Sequence, residues 1–179
     1  MTDVAAKIDS QFFGAGGDGV TTPQGLFAWT GVQTLPIGGA LTLDHLLDAW
    51  GLALAADVNM SALRWVFTPR EFVELRKIKD GQDRYQLQPD PTQDGVFRLL
   101  GAPGTVTKRV PDATGGTPTG RAALLDFSQV AVARDLAPSV TVLRERYADF
   151  DEQALRVVAR YDTKPLNPLA VVRLTGIAI

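Results

Sequence analysis

The chain has 179 residues, of which 45% are hydrophobic and 21% charged, with 18 basic against 20 acidic side chains and a formal net charge of -2. This length and apolar share suit one compact domain, or one with a smaller appendage, and exclude wholesale disorder; the near balance of charge gives no electrostatic reason for a nucleic-acid ligand. The sequence holds no cysteine, which excludes disulfides, thiolate chemistry and cysteine metal sites, and no apolar run nears the roughly 20 residues that span a bilayer.

Val4, Ile8 and Phe12 recur every fourth residue and predict a short helix that stops at Gly14. Asp3, Lys7 and Asp9 interrupt this stretch, so it has no apolar signal-peptide core. Gly14 to Gly19, Pro23 and Gly25 predict loop. Thr42 is placed to cap a second helix whose apolar positions are Leu43, Leu46, Leu47, Trp50 and Leu54, and Asp44 in its first turn complements the helix dipole. Leu63 to Phe67 reads as a short buried strand. Thr68-Pro69-Arg70-Glu71 reads as a capping box with proline in the first helical position, opening a helix that runs to about Lys79. From 80 to 121 the content of Gly, Pro, Asp and Thr predicts turns and long loops, with one or two short strands near the apolar island Val96 to Leu100. Val130 and Val132, and again Val140 and Val142, alternate with their neighbours and predict strands with one buried face. Residues 153 to 161 fit helix or strand on pattern alone, and Leu169 to Leu174, after Pro165 and Pro168, reads as a last strand. The sum is α+β, with helices early and strands late.

Gly14-Ala15-Gly16-Gly17-Asp18-Gly19 matches G-x-G-x-x-G, a turn that can aim a helix N-terminus at a pyrophosphate. Such a site needs a strand before the turn and a helix after it. Here a helix precedes and Thr21-Thr22-Pro23 follows, so the run reads as a flexible or sharply turning loop. His45 lies near Asp44 and Asp48, but a lone imidazole reads as an exposed helix-face residue and not as a ligand. No serine sits in a G-x-S-x-G elbow. A small hydrolase or nucleotide-binding enzyme would rest on Gly14 to Gly19 and His45 alone; the reading adopted has no catalytic residue, no cofactor and no metal. Trp29, Trp50 and Trp65 read as core. Arg144, Glu145, Arg146, Asp149, Asp151 and Glu152 form a mixed-sign run that reads either as a solvated strand end or as a device fixing register between subunits.

An ordered set of short motifs then resembles the tailed-phage major capsid proteins. Asp3-Val4-Ala5, Phe12-Phe13-Gly14 and Pro23-Gln24-Gly25-Leu26 resemble the stretch in which a helix ends at an aromatic-glycine pair and a turn follows. Leu41-Thr42-Leu43-Asp44-His45-Leu46-Leu47 resembles that family's helix start, and Trp65-Val66-Phe67-Thr68-Pro69 its strand-to-helix junction. Leu75-Arg76-Lys77-Ile78-Lys79-Asp80 with Arg84-Tyr85, Leu99-Leu100-Gly101-Ala102-Pro103, and Asp126-Phe127-Ser128-Gln129 follow in family order. Arg160-Tyr161-Asp162 and Asn167-Pro168-Leu169-Ala170 are similar to its closing strand pair.

The resemblance implies the Hong Kong 97-type fold, with an axial domain over 36–148 and a partial peripheral domain built from 1–35 and 149–179. It makes 153–161 strand. Family members carry an N-terminal arm, an extended loop and most of a spine helix before this point, so the resemblance makes this sequence the C-terminal portion lacking them, either an engineered or natural truncation or a degenerate prophage product. The function implied is that of a structural major capsid protein, self-assembling into pentamers and hexamers of a phage or prophage head that encloses DNA; the alternative is an encapsulin-like shell around cargo protein. The partners implied are copies of itself, with portal or scaffolding proteins, and neither sequence-specific nucleic acid nor a membrane. The setting implied is the virion capsid, after synthesis in a bacterial host cytoplasm. Arg84, Arg98, Lys108, Arg109 and Arg121, in and around the 80 to 121 segment, are the candidate intersubunit contacts, since a long loop in a compact domain is usually functional or disordered.

Overall fold

The computed structural model describes residues 2–87, 97–113, 119–143 and 154–178. The elements are α1 (Thr2–Phe12), β1 (Gln33–Pro36), α2 (Leu43–Ala55), β2 (Leu63–Phe67), α3 (Pro69–Arg76), β3 (Arg98–Leu99), β4 (Ala102–Val106), β5 (Thr119–Asp126), β6 (Val130–Leu143), β7 (Ala154–Pro165) and β8 (Val171–Ala178). They make an α+β fold with two sheets. One is six-stranded, in the order β1-β8-β5-β2-β4-β3, and the other is the two-stranded ribbon β6-β7. In the larger sheet β1 runs parallel to β8 and β2 parallel to β4, while β5 is antiparallel to both its neighbours.

Both faces of the sheet are covered. On one face Leu46, Ala49 and Ala53 of α2 and Leu75 of α3 pack on Trp65, Phe67, Ala122, Leu124, Val172 and Leu174. On the other, Leu26, Trp29 and Val110 pack on Val66, Ala123, Leu125 and Val171. Ala122 through Leu125 are each at most 1% exposed, so the centre of β5 is an unbroken apolar run, as two-sided burial demands. Trp65 stacks on Phe67 at 5.5 Å between ring centroids, and its indole N–H donates to the Leu99 carbonyl at 3.0 Å. That bond satisfies the one polar atom of a fully buried tryptophan.

The chain passes between the two sheets through a matched pair of turns. After β5, Asp126 accepts from the Ser128 N–H at 2.8 Å and opens a short 3-10 turn, Phe127–Gln129, into β6. After β7, Asn167 accepts from the Leu169 N–H at 3.1 Å and opens the turn Pro168–Ala170 into β8. The Leu166 N–H donates to Gln129 O at 2.7 Å, tying the two exits together.

Several expectations change. The valines of 130–142 lie on one continuous strand, β6, and not on two. Extra residues interrupt its pairing with β7 between Arg134 and Leu136 and again between Leu136 and Ser139. Pro138, which has no N–H to donate, lies in the second irregularity. Helix α3 ends at Arg76, three residues early, because Lys77 already caps it. In α2 the buried stripe is Leu46, Ala49 and Ala53, whereas Leu47 and Leu54 are 50% and 45% exposed. The last strand starts at Val171, not at Leu169. The 80–121 segment holds the two short strands β3 and β4 and the start of β5, and neither β1 nor β5 was expected. Residues 171–178 lie in the interior of the six-stranded sheet, between β1 and β5.

Glu71 departs from its capping role. Thr68 accepts from the Glu71 N–H at 3.4 Å as expected, but the Glu71 carboxylate turns inward, 2% exposed, and neither oxygen has a donor among the described residues. It occupies the notch left by Gly120, where a Cβ would lie 1.9 Å from Oε1. Burial raises the Glu71 pKa, and Asp112 raises it further against the opposing pull of Arg70. A folded pKa raised above its unfolded value adds stability below the ordinary carboxylate value of 4.5, and that contribution is lost as pH climbs through the folded value. In Glu71→Gln the loss has no group to act on. The melting temperature of Glu71→Gln relative to the native chain should therefore rise as pH is raised from 4.5 to 8. A difference that stays constant across that range would place the charge elsewhere.

Candidate functional site

Apolar side chains are exposed at several places, and on the ribbon they fall in cross-strand register. Val140 pairs with Val157 and Val142 with Leu155, so all four side chains share one face of the outer ribbon. They are 59%, 44%, 46% and 70% exposed, respectively, and Val132 is 58% exposed. The expectation of a buried face on these strands is thus overturned at the outer ribbon, where no described residue covers it. Alternation along β7 puts Leu155 and Val157 on the face that also carries Ala159, Tyr161 and Thr163. Near the body that face is covered: Thr163 is 3% exposed and its hydroxyl donates to Gln24 O at 3.4 Å. Between the covered and the bare parts, Ala159 and Tyr161 line a cleft of about 470 Å³ with Ile8 and Phe12 of α1 and Val20.

The glycine run builds the seat of α1 and not a phosphate cradle. It follows a helix, and its polar groups are spent internally. The carbonyls of Phe12, Gly14 and Gly16 accept from the N–H groups of Leu26, Phe27 and Gly25 at 2.7, 3.0 and 3.0 Å. Asp18 accepts from the N–H groups of Val20, Thr21 and Thr22 at 3.0, 2.9 and 2.8 Å. Those bonds, with the Thr21 hydroxyl foremost, hold the Asp18 carboxyl far below the usual range. The turn so fixed presents Val20 at 90% exposure.

His45 is half-buried and acts as a cap. Its Nδ1 accepts from the Thr42 N–H at 3.3 Å while Thr42 Oγ1 accepts from the His45 N–H at 3.4 Å, closing a capping box with histidine in the place usual for Glu or Gln. Asp44 and Asp48 are exposed, and no cluster of three metal-binding side chains occurs among the described residues.

The five basic candidates do not converge. Arg84 is exposed beside Asp80 at 3.4 Å and donates to Gln82; Arg98 is exposed on the edge strand β3; and Lys108 is exposed in the loop after β4. Arg109 donates to Ser10 Oγ at 3.4 Å, and Arg121 donates to Pro111 O at 3.2 Å with its guanidinium 5.5 Å from the Phe27 ring centroid. These last two therefore also serve the chain itself. The charged run 144–152 lies outside the described residues.

The sequence matches the phage capsid family over residues 2–176, so the chain belongs to that family. The fold is that of the Hong Kong 97-type capsid proteins. It is similar to the capsid of an empty GTA particle computed with C5 symmetry, at TM-score 0.75 and 19% identity, covering 99% of this chain and 64% of that one. It is similar to a structure from Gordonia phage Cozz, at TM-score 0.71 and 19% identity, covering 98% and 60%. It is also similar to the SrpI encapsulin of Synechococcus elongatus, at TM-score 0.64 and 15% identity, covering 98% and 62%. The chain spans 60–64% of the length of these three relatives. No curated protein sequence matches it.

The seat of α1 makes a contrast between two glycines. A Cβ at Gly25 would lie 2.3 Å from Gly14 O and 2.6 Å from Gln11 O, whereas one at Gly16 would meet nothing within 4 Å. Gly25→Ala should therefore cost about 1–3 kcal/mol in chemical denaturation, with faster amide exchange at Leu26 and Phe27, because backbone must move. Gly16→Ala should leave both unchanged.

Proposed function

We propose that the chain is the core of a major capsid protein, a structural and not a catalytic subunit that builds pentamers and hexamers of a phage or prophage head around DNA. The observation that carries this reading is the bare apolar face of the ribbon, Val140, Val142, Leu155 and Val157, on a chain of the phage capsid family. Contiguous exposed apolar surface on a folded domain marks a site of association. The setting that follows is the virion shell, with synthesis in the host cytoplasm and portal or scaffolding proteins as further partners. The family match favours a phage head over an encapsulin-like compartment; nucleic acid, not cargo protein, inside purified shells separates the two. In this reading the axial domain is the six-stranded sheet with α2 and α3, including 33–36 and 171–178, and the peripheral domain is α1 with the ribbon.

The two kinds of surface give separate tests. Leu155→Lys with Val157→Lys adds charge where side chains already face solvent. It should leave the melting temperature within a few degrees and abolish concentration-dependent association in light scattering; unchanged association would remove the ribbon from the interface. Arg84, Arg98 and Lys108, exposed around the loop segment and the sheet edge, are proposed as subunit contacts of the capsomer. Reversing all three charges should lower capsomer yield from the full-length protein severalfold and reduce its sensitivity to salt. An undiminished yield would end their assignment.

A further inference from the structure

Arg121 and Arg173 lie together on the sheet face opposite α2, and neither forms an ion pair among the described residues. Arg173 stands directly across from Ala123 in the β5–β8 register, and Arg121 sits at the irregularity between Gly120 and Ala122. Phe27 joins them. Arg173 donates through Nη1 to the Phe27 carbonyl at 2.8 Å and through Nη2 to Thr34 Oγ1 at 3.0 Å, while its Nε is buried without an acceptor among the described residues. Arg121 lies over the Phe27 ring. Burial pushes both guanidinium pKa values down, and the charge of Arg121 lowers that of Arg173 further. Asp112 favours the charged form of Arg121 but lies against Arg70 at 3.8 Å. Two half-buried like charges held by neutral oxygens are costly in an isolated chain, and a carboxylate is the group that guanidinium groups bind best.

The opposite face carries the complement. Asp44 and Asp48 are exposed on α2, four residues apart, where like charges repel, and neither forms an ion pair among the described residues. Helix α2 packs on the side of the sheet shown by Ala122 and Leu124, whereas Arg173 follows the side of Ala123 and Val171. A contact between opposite faces of identical subunits is head-to-tail, the geometry that closes rings.

We propose that Arg121 and Arg173 form the basic half of a subunit contact and receive the Asp44 and Asp48 carboxylates of the next copy of this chain around a capsomer ring. This rests on the shell-subunit reading above and adds its register. The test uses the full chain carrying Asp44→Lys with Asp48→Lys, the chain carrying Arg121→Glu, and the chain carrying all three changes. Arg173 is left intact because it fastens Phe27 and Thr34. Each set alone should weaken self-association roughly tenfold or more in sedimentation equilibrium, and the combined variant should recover most of the loss. Circular dichroism melting checks that each variant is folded; should Arg121→Glu fail to fold, the exposed aspartate variant decides alone, since it must still lose association. Association of the aspartate variant within threefold of native overturns the proposal, as does a folded combined variant no better than either set. If only the Leu155 and Val157 changes abolish association, this contact falls while the shell reading stands. A native chain that does not associate at any concentration removes both.

Discussion

The whole arrangement depends on β8 entering the sheet between β1 and β5. Gln33 through Pro36 align in parallel with Val172 through Thr175, and the other edge of β8 pairs antiparallel with β5. Val171, Val172 and Leu174 are fully buried, so the last strand supplies core to both faces. Gln33 fastens the same junction by donating to Leu169 O at 2.7 Å and Leu52 O at 3.1 Å. Pairing of segments so far apart in sequence raises contact order and slows folding, while its loop-closure cost grows only slowly with length. The seat of α2, the position of Arg173 and the exit of the ribbon all follow from that insertion.

The two sheets obey opposite rules because of what lies against them. The six-stranded sheet has helices and packed loops on its faces and reads as apolar runs. The ribbon leaves through the capped turns after Asp126 and before Val171, and beyond Ala159 nothing of the described chain covers its apolar face. Two strands alone bury too little to be stable in water, so the base of the ribbon is held by the Leu166–Gln129 bond and by Thr163 against Gln24. Its outer half is presented and not packed.

Local signals were legible where a side chain meets its own backbone. Thr42 and Thr68-Pro69 announced α2 and α3 because a cap is an interaction within four residues. Strand β5 was missed because burial on both faces erases alternation, and β1 because four residues with two polar ones carry no period. Alternation in β6 did reveal strand, but it marks which residues are apolar and not what covers them. The pattern predicts a buried face, and no cover for it lies among the described residues. Glu71 followed the capping pattern in sequence, yet the notch at Gly120, distant in sequence, drew its carboxylate inward. The capping role of His45 was hidden because imidazole is not the residue that the box pattern names. Only the ordered set of motifs, and not any single one, pointed to the capsid fold.

Apolar and charged surfaces do different work in a ring. The ribbon valines and Leu155 offer area without direction, since hydrophobic burial is roughly proportional to the surface removed from water and indifferent to register. Guanidinium groups fixed by Phe27 and Thr34 are directional, and a carboxylate one residue out of place would leave a charge desolvated and unpaired. A subunit relying on the first alone would associate in many registers. One relying on the second alone would bind too weakly to hold, because exposed ion pairs contribute little. In the proposed shell, which must place every copy equivalently, the two kinds of surface are complementary: one supplies area and the other register.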